Sequence, residues 1–122
     1  METAKKIINW NGLDIGISTF KGERRFTQSP PMRCDYGHIR GTWGKGLDGK
    51  SLDIYLAGDN PTVYKIYQID PKTQKLDEHK YLLGAANIDE AKQIYIDHLS
   101  PYHFGGIVEY SIDRLKQDGN LL

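Results

Sequence analysis

Asp48, Asp53, Tyr36 and a run of glycines are crowded into one stretch, Cys34 to Leu56. Tyr36, His38 and Ile39 lie in a first apolar-alternating arm; Leu52, Ile54 and Leu56 lie in a second. Side chains alternate along a strand with a period of two, so these leucines and this isoleucine share a face, and Asp53 sits on the opposite one. Between the arms runs a link rich in glycine (Gly41, Gly44, Gly46, Gly49) that carries Asp48. Carboxylates gathered at one strand end repel unless a positive group lies between them. The chemistry this points to is a divalent cation with a phosphate-type ligand, since hard cations take oxygen donors.

The elements that would position these groups can be read along the chain. Residues 1–6 are expected to fray. Ile7, Ile8 and Trp10 open a short edge strand, and Asn11-Gly12 is a hairpin turn leading into alternating Leu13, Ile15 and Ile17. Lys21 to Arg25 is a charged segment, and Ser29-Pro30-Pro31 marks a loop. Asp59-Asn60-Pro61 is a turn. Thr62 to Ile69 and Leu76 to Leu83 read as two strands joined by a hairpin loop at Asp70 to Gln74. Asp70 and Asp77 then stand at the two feet of that hairpin, with Lys80 further along the return strand.

Gly84 ends this strand region. Asn87 and Glu90 form a capping box for a helix of about three turns, in which Ile88, Ala91, Ile94, Tyr95 and Leu99 recur at helical spacing as a core-facing stripe. Phe104-Gly105-Gly106 reads as a turn, Ile107, Val108 and Tyr110 as a last strand, and Ser111 as the cap of a short terminal helix docked by Ile112, Leu115 and Leu121. Trp43 reads as a packing residue. The sum is an α+β fold with a closed or partly open barrel of about five to seven strands, treated as a single domain over residues 1–122.

Composition narrows the function. The 122 residues carry 16 basic and 16 acidic side chains. That balance argues against a nucleic-acid protein, which needs a basic excess. One cysteine, Cys34, excludes an intrachain disulfide and suits a reducing, cytoplasmic setting. No run is apolar enough to span a bilayer. A transition-metal site from His79, His98 and His103 lacks a compact ligand motif, and Cys34 has no partner histidine that can be placed from sequence.

The order of the motifs adds a resemblance. Tyr36-Gly37-His38-Ile39, a short gap, then Asp48-Gly49-Lys50-Ser51-Leu52-Asp53 resembles the signature of family I soluble inorganic pyrophosphatases. With Arg40-Gly41-Thr42, the Asp77-Glu78-His79-Lys80 segment and Phe104-Gly105-Gly106, it is still more similar to the compact pyrophosphatase-like domains of phage and mobile-element polyvalent proteins. The likeness spans roughly Trp10 to Lys116. It implies an OB-like barrel and magnesium-dependent hydrolysis of pyrophosphate or a related small phosphoanhydride. It implies Tyr36, Asp53 and Lys80 as catalytic groups; Lys21, Arg25 and Arg40 as substrate-binding cations; and Asp48, Asp53, Asp70 and Asp77 as metal ligands. Arg40 reads equally as a strand charge facing water. The implied partner is a small phosphate-bearing molecule, with a homo-oligomer as a further expectation. Two departures stand out: Ser18 and Lys50 occupy positions where the family carries carboxylates. A catalytically degenerate protein of the same fold, binding a nucleotide-like or phosphate-bearing ligand, is therefore the alternative.

Overall fold

The computed structural model describes residues 3–121. Local rules account for most of its elements. Strand β1 (Lys6–Trp10) turns through Asn11 and Gly12, both at positive φ, into β2 (Leu13–Thr19). Asn and Gly tolerate that left-handed conformation best, which is what a two-residue hairpin requires. Strands β3 (Asp35–Ile39) and β4 (Asp53–Leu56) are the two arms of the glycine-linked stretch. The hairpin of β5 (Val63–Ile69) and β6 (Leu76–Leu83) follows. Helix α1 (Ile88–His98) begins at Asn87, whose side chain accepts from the Glu90 N–H at 2.9 Å. A single 3-10 turn at Pro101–His103 leads into β7 (Phe104–Tyr110), and Ser111 caps α2 (Ile112–Asp118).

All seven strands join one sheet in the order β1-β2-β3-β4-β6-β5-β7. Every neighbouring pair is antiparallel except β4 and β6, which run parallel. The α+β class, the strand number and the two helices are as the sequence implies. The barrel is not closed, because β1 and β7 are the two edges of the sheet.

Alternation divides the side chains between two clusters. Ile15, Ile17, Ile39, Leu52, Ile54, Tyr81 and Leu83 form one with Leu115 of α2. Tyr36, Tyr55, Tyr64, Ile66 and Leu82 form the other with Ala91, Ile94 and Tyr95 of α1. Asp118, near the end of α2, ties its helix to the sheet: its Oδ2 accepts from Tyr81 OH (2.6 Å), Tyr110 OH (3.0 Å) and Lys65 Nζ (3.1 Å).

Several local expectations change. Lys6 already belongs to β1, and the Lys5 N–H donates to Ile17 O at 2.7 Å, so this part of the amino-terminal segment is paired; Met1 and Glu2 lie outside the described residues. Phe104-Gly105-Gly106 is strand, not turn, because Phe104 and Gly106 pair with Gln68 and Tyr67 across a register shift. A Cβ on Gly105 would fall 2.9 Å from Tyr67 O, so the glycine there permits close strand approach. Trp43 is 59% exposed instead of packed. In α1, Ile88 and Leu99 lie at the ends of the stripe and remain exposed, while Ala91, Ile94 and Tyr95 are buried.

The link between β3 and β4 is long, yet its ends are pinned. Thr42 is fully buried; its Oγ1 donates to Ile39 O (2.6 Å) and accepts from the Leu52 N–H (3.0 Å). One hydroxyl thus closes the loop that carries Asp48. Replacing Thr42 by Val keeps the shape but leaves a buried N–H without its acceptor, which costs about 1–3 kcal/mol. We expect Thr42→Val to lower Tm by roughly 5–15 °C in a thermal melt; an unchanged Tm would show that the loop is not anchored this way.

Candidate active site

The polar groups meet on the sheet face that α1 covers only in part. Along β3, β4 and β6, alternation turns Tyr36, Asp53, Glu78 and Lys80 toward the same side. Parallel pairing of β4 with β6 brings the last three together. Lys80 is the centre: it is only 6% exposed, its Nζ donates to Tyr36 OH (2.8 Å) and to Asp53 Oδ2 (3.0 Å), and it forms an ion pair with Glu78 Oε1. Two of the three N–H donors of this ammonium are spent in hydrogen bonds, and the ion pair with Glu78 adds a second carboxylate beside its charge. Burial works against the charge on Lys80, but Tyr36, Asp53 and Glu78 around it more than offset that and hold its pKa above the ordinary lysine value. Burial also pushes the Tyr36 phenol up to about 12, against the opposing pull of Lys80. At neutral pH Tyr36 is therefore protonated. Its oxygen accepts from Lys80, so its own O–H is left to donate outward.

Asp48 joins from the glycine link. Its Oδ1 accepts from the Lys50 N–H at 3.0 Å, a local turn, and Gly46 lies so close that a Cβ there would approach Asp48 Oδ1 to 2.8 Å. Oxygens of Asp48, Asp53 and Glu78 can all lie within 4.8 Å of one another, and among the described residues this is the one group of acidic, histidine or cysteine side chains so placed. The donor set is all carboxylate and partly solvent-facing, which suits a hard divalent cation that keeps part of its water shell. His79, His98 and His103 do not assemble into such a group.

A cavity of about 570 Å³ opens over these residues. Its wall includes Ser18, Arg25, Tyr36, His38, Asp48, Lys50, Asp53, Glu78 and Lys80. The β2–β3 connection hangs over it as a flap. Backbone hydrogen bonds Gly22 N to Met32 O (2.8 Å) and Met32 N to Glu23 O (2.8 Å) stitch its base, and Arg24 bridges to Pro31. The flap places the Arg25 guanidinium 4.0 Å from the Tyr36 ring centroid. At the other end, Tyr55 stacks on His98 with centroids 5.0 Å apart and planes within 3° of parallel. His98 Nε2 accepts from the Arg33 N–H at 2.8 Å, which puts the imidazole proton on Nδ1; that atom is buried with no partner among the described residues.

The structure thus brings together Tyr36, Asp48, Asp53, Lys80 and Arg25 of the residues expected from sequence. It does not bring Lys21, Arg40 or Asp70 to this cavity. Lys21 lines a separate recess of about 340 Å³ beside Cys34 and Asp35, and its N–H donates to Asp35 Oδ1 at 2.8 Å. Arg40 is exposed just past β3. Asp70 shapes its own hairpin loop by accepting from the Lys72 N–H at 2.8 Å. Asp77 lies just outside the wall, exposed, where its Oδ2 accepts from Gln68 Nε2 at 3.3 Å. Glu78 takes the place expected for Asp77. The strand period carries the signal for it: residue 78, not 77, shares a face with Lys80.

Cys34 plays no part in the cavity. It is buried, and that burial pushes its thiol up to about 12.

An acidic cluster, a buried lysine–tyrosine pair and an arginine line one cavity of an α+β sheet. A family model described as inorganic pyrophosphatase matches residues 2–119. The chain belongs to the inorganic pyrophosphatase family. No curated protein and no solved structure gives a significant match.

Two outcomes test this geometry. Lys80→Met leaves Asp53 and Glu78 side by side without their cation, and breaking such a buried pair costs about 3–5 kcal/mol. Chemical denaturation should show that loss, with Lys80→Arg retaining more stability than Lys80→Met; equal stability of wild type and Lys80→Met would refute the lock. Separately, a thiol with its pKa near 12 is not a thiolate at pH 8. Cys34 should resist an aromatic disulfide reagent in the folded protein and react at once in denaturant.

Proposed function

We propose that this protein is a magnesium-dependent hydrolase of pyrophosphate or a related small phosphoanhydride. The observation that carries the reading is the meeting of Asp48, Asp53 and Glu78 with the Lys80–Tyr36 pair and Arg25 in one cavity. Asp48, Asp53 and Glu78 would hold the metal, with Asp77 one contact further out. A divalent ion held there neutralises phosphate charge and makes water a better nucleophile.

The chain's own groups supply the rest. Lys80 fixes one oxygen of Asp53, so its other oxygen is oriented to take a proton from the attacking water. That water's oxygen adds to one phosphorus as the bridging P–O bond breaks. Tyr36 O–H and the Arg25 guanidinium face the charge that develops on the departing phosphate, the work of pre-aimed donors. Lys80 acts through its neighbours, because it is buried among Tyr36, Asp53 and Glu78 and already paired with them.

The cavity carries formal charges that cancel: Asp48, Asp53 and Glu78 against Arg25, Lys50 and Lys80. A neutral site attracts a bare dication weakly and gains most when phosphate brings negative charge with it. Asp48, Asp53 and Glu78 would therefore hold a divalent ion more firmly once a phosphate ligand is present. Lys50 and Ser18, in the wall where the family carries carboxylates, also favour a second reading: a binder of phosphate-bearing ligands without turnover. Cytoplasmic location and self-association belong to the same proposal.

Phosphate release from pyrophosphate in the presence of magnesium decides between the readings. We expect activity that chelation abolishes and that Asp53→Asn or Glu78→Gln lowers by about 100-fold or more, with circular dichroism unchanged. No release by the wild type, combined with thermal stabilisation by a phosphate ligand, would establish the binder. Calorimetry should find magnesium binding weak alone and strengthened by methylenediphosphonate.

A further inference from the structure

The cavity has two unlike ends. Asp53 and Tyr55 lie two residues apart on the same face of β4, and that spacing separates them by about 7 Å. Around Asp53 stand the charged groups described above. His98 stacks on Tyr55, and the same wall includes Phe26, Pro30, Met32 and Leu99. Pyrophosphate contains no carbon. An apolar and aromatic wall gains nothing from binding it and excludes the water its charges require. A volume of about 570 Å³ also falls in the range of sites that enclose an organic small molecule.

The chemistry of that second end is specific. Phe26 is 60% exposed and Leu99 45% exposed, and both sit on the cavity rim, where a ligand would cover them. The Arg25 guanidinium lies over the Phe26 ring as well, 4.9 Å from its centroid, and so joins the two ends with a flat stacking surface. His98 Nδ1 is buried beside this wall with no hydrogen-bond partner among the described residues. A flat heterocycle with ring nitrogens and an attached sugar offers stacking faces and acceptors together. An alkyl chain offers neither.

We infer that the ligand of this cavity is an organic phosphoanhydride bearing a nucleoside-type group, with its phosphates at the Asp53 end and its base against Phe26, Leu99 and His98. This rests on the hydrolase reading for its chemistry: the same P–O–P bond breaks, water's oxygen ends on one phosphorus, the bridging oxygen on the other, and the released proton passes to Asp53. The juxtaposition of a carboxylate-lined end with an aromatic, unsatisfied end is what separates it from a site for pyrophosphate alone.

Non-hydrolysable ligands keep the test independent of turnover. With magnesium present, calorimetry on the full chain compares adenosine 5′-(α,β-methylene)diphosphate, its uridine counterpart, methylenediphosphonate and an alkyl methylenediphosphonate. At least one nucleoside analogue should bind tenfold or more tighter than methylenediphosphonate. In Phe26→Ala/Leu99→Ser, checked as folded by circular dichroism, that ratio should fall toward one. Methylenediphosphonate or the alkyl analogue binding as tightly as both nucleosides, or none of the four binding at millimolar concentration, overturns the inference. Should pyrophosphate be hydrolysed while the nucleoside preference is absent, the inference alone fails. Should the preference hold with no turnover of any phosphoanhydride, the hydrolase reading alone fails.

Discussion

A lysine ammonium taken out of water must be paired, or it will not stay charged. Lys80 meets that demand with Tyr36, Asp53 and Glu78, drawn from three strands. The consequence is architectural. Strands β3, β4 and β6 are held in register by backbone ladders, and the lysine adds a side-chain tie across all of them. It also stands between two carboxylates that would otherwise repel. The site is thereby held in shape before any ligand arrives, and that fixed shape is what makes donors and bases effective in catalysis.

The sheet makes this possible by splitting its labour between faces. One face carries the apolar cluster that takes α2, with Lys65, Tyr81 and Tyr110 tied to Asp118 at its edge. The other begins as core beneath α1, where Tyr95 OH donates to Gln68 Oε1 at 2.7 Å, and turns polar where the helix stops. Tyr55 marks the border. It packs edge-on to Tyr36 at 4.9 Å and to Tyr95 at 6.2 Å while stacking on His98. Core and cavity therefore share a wall, and the Tyr55 ring touches both α1 and the cavity. Arg33 reinforces the border by pairing with Asp97 through Nη1 while its N–H holds His98.

What the sequence makes legible follows from distance along the chain. Local signals hold: the Asn11-Gly12 hairpin, the Asn87 cap, the Ser111 cap and the alternation that faces Asp53 away from Ile54. The Asp48–Asp53 pair is legible because its glycine turn is local too. Non-local pairing is not. Nothing near β4 says that β6 will lie beside it in parallel, and that placement selects Lys80 and its neighbour Glu78. Asp77 misleads because the strand period puts residue 78, not 77, in step with Lys80, and Asp77 itself sits opposite the register shift at the Gln68–Ile69 step. Lys21 and Arg40 mislead for a simpler reason. Each sits at a strand end, where one residue of shift carries a long side chain to another surface.

The two departures from the family pattern look different once they are placed. Ser18, where a carboxylate is expected, donates its Oγ to Tyr36 O at 3.3 Å. It ties β2 to the backbone of the residue whose phenol meets Lys80, just where the β2–β3 register shifts. Close by, Gly37 lets the two backbones meet, since a Cβ there would stand 1.9 Å from Gly16 O. A glutamate at position 18 would have to give up that short bond and send a longer, charged chain into the cavity. Lys50 acts in the other direction. Its backbone orients Asp48, while its ammonium adds a positive charge to a wall already holding Arg25 and Lys80. Fewer carboxylates and more cations in that wall would weaken its hold on a metal ion and favour an anion.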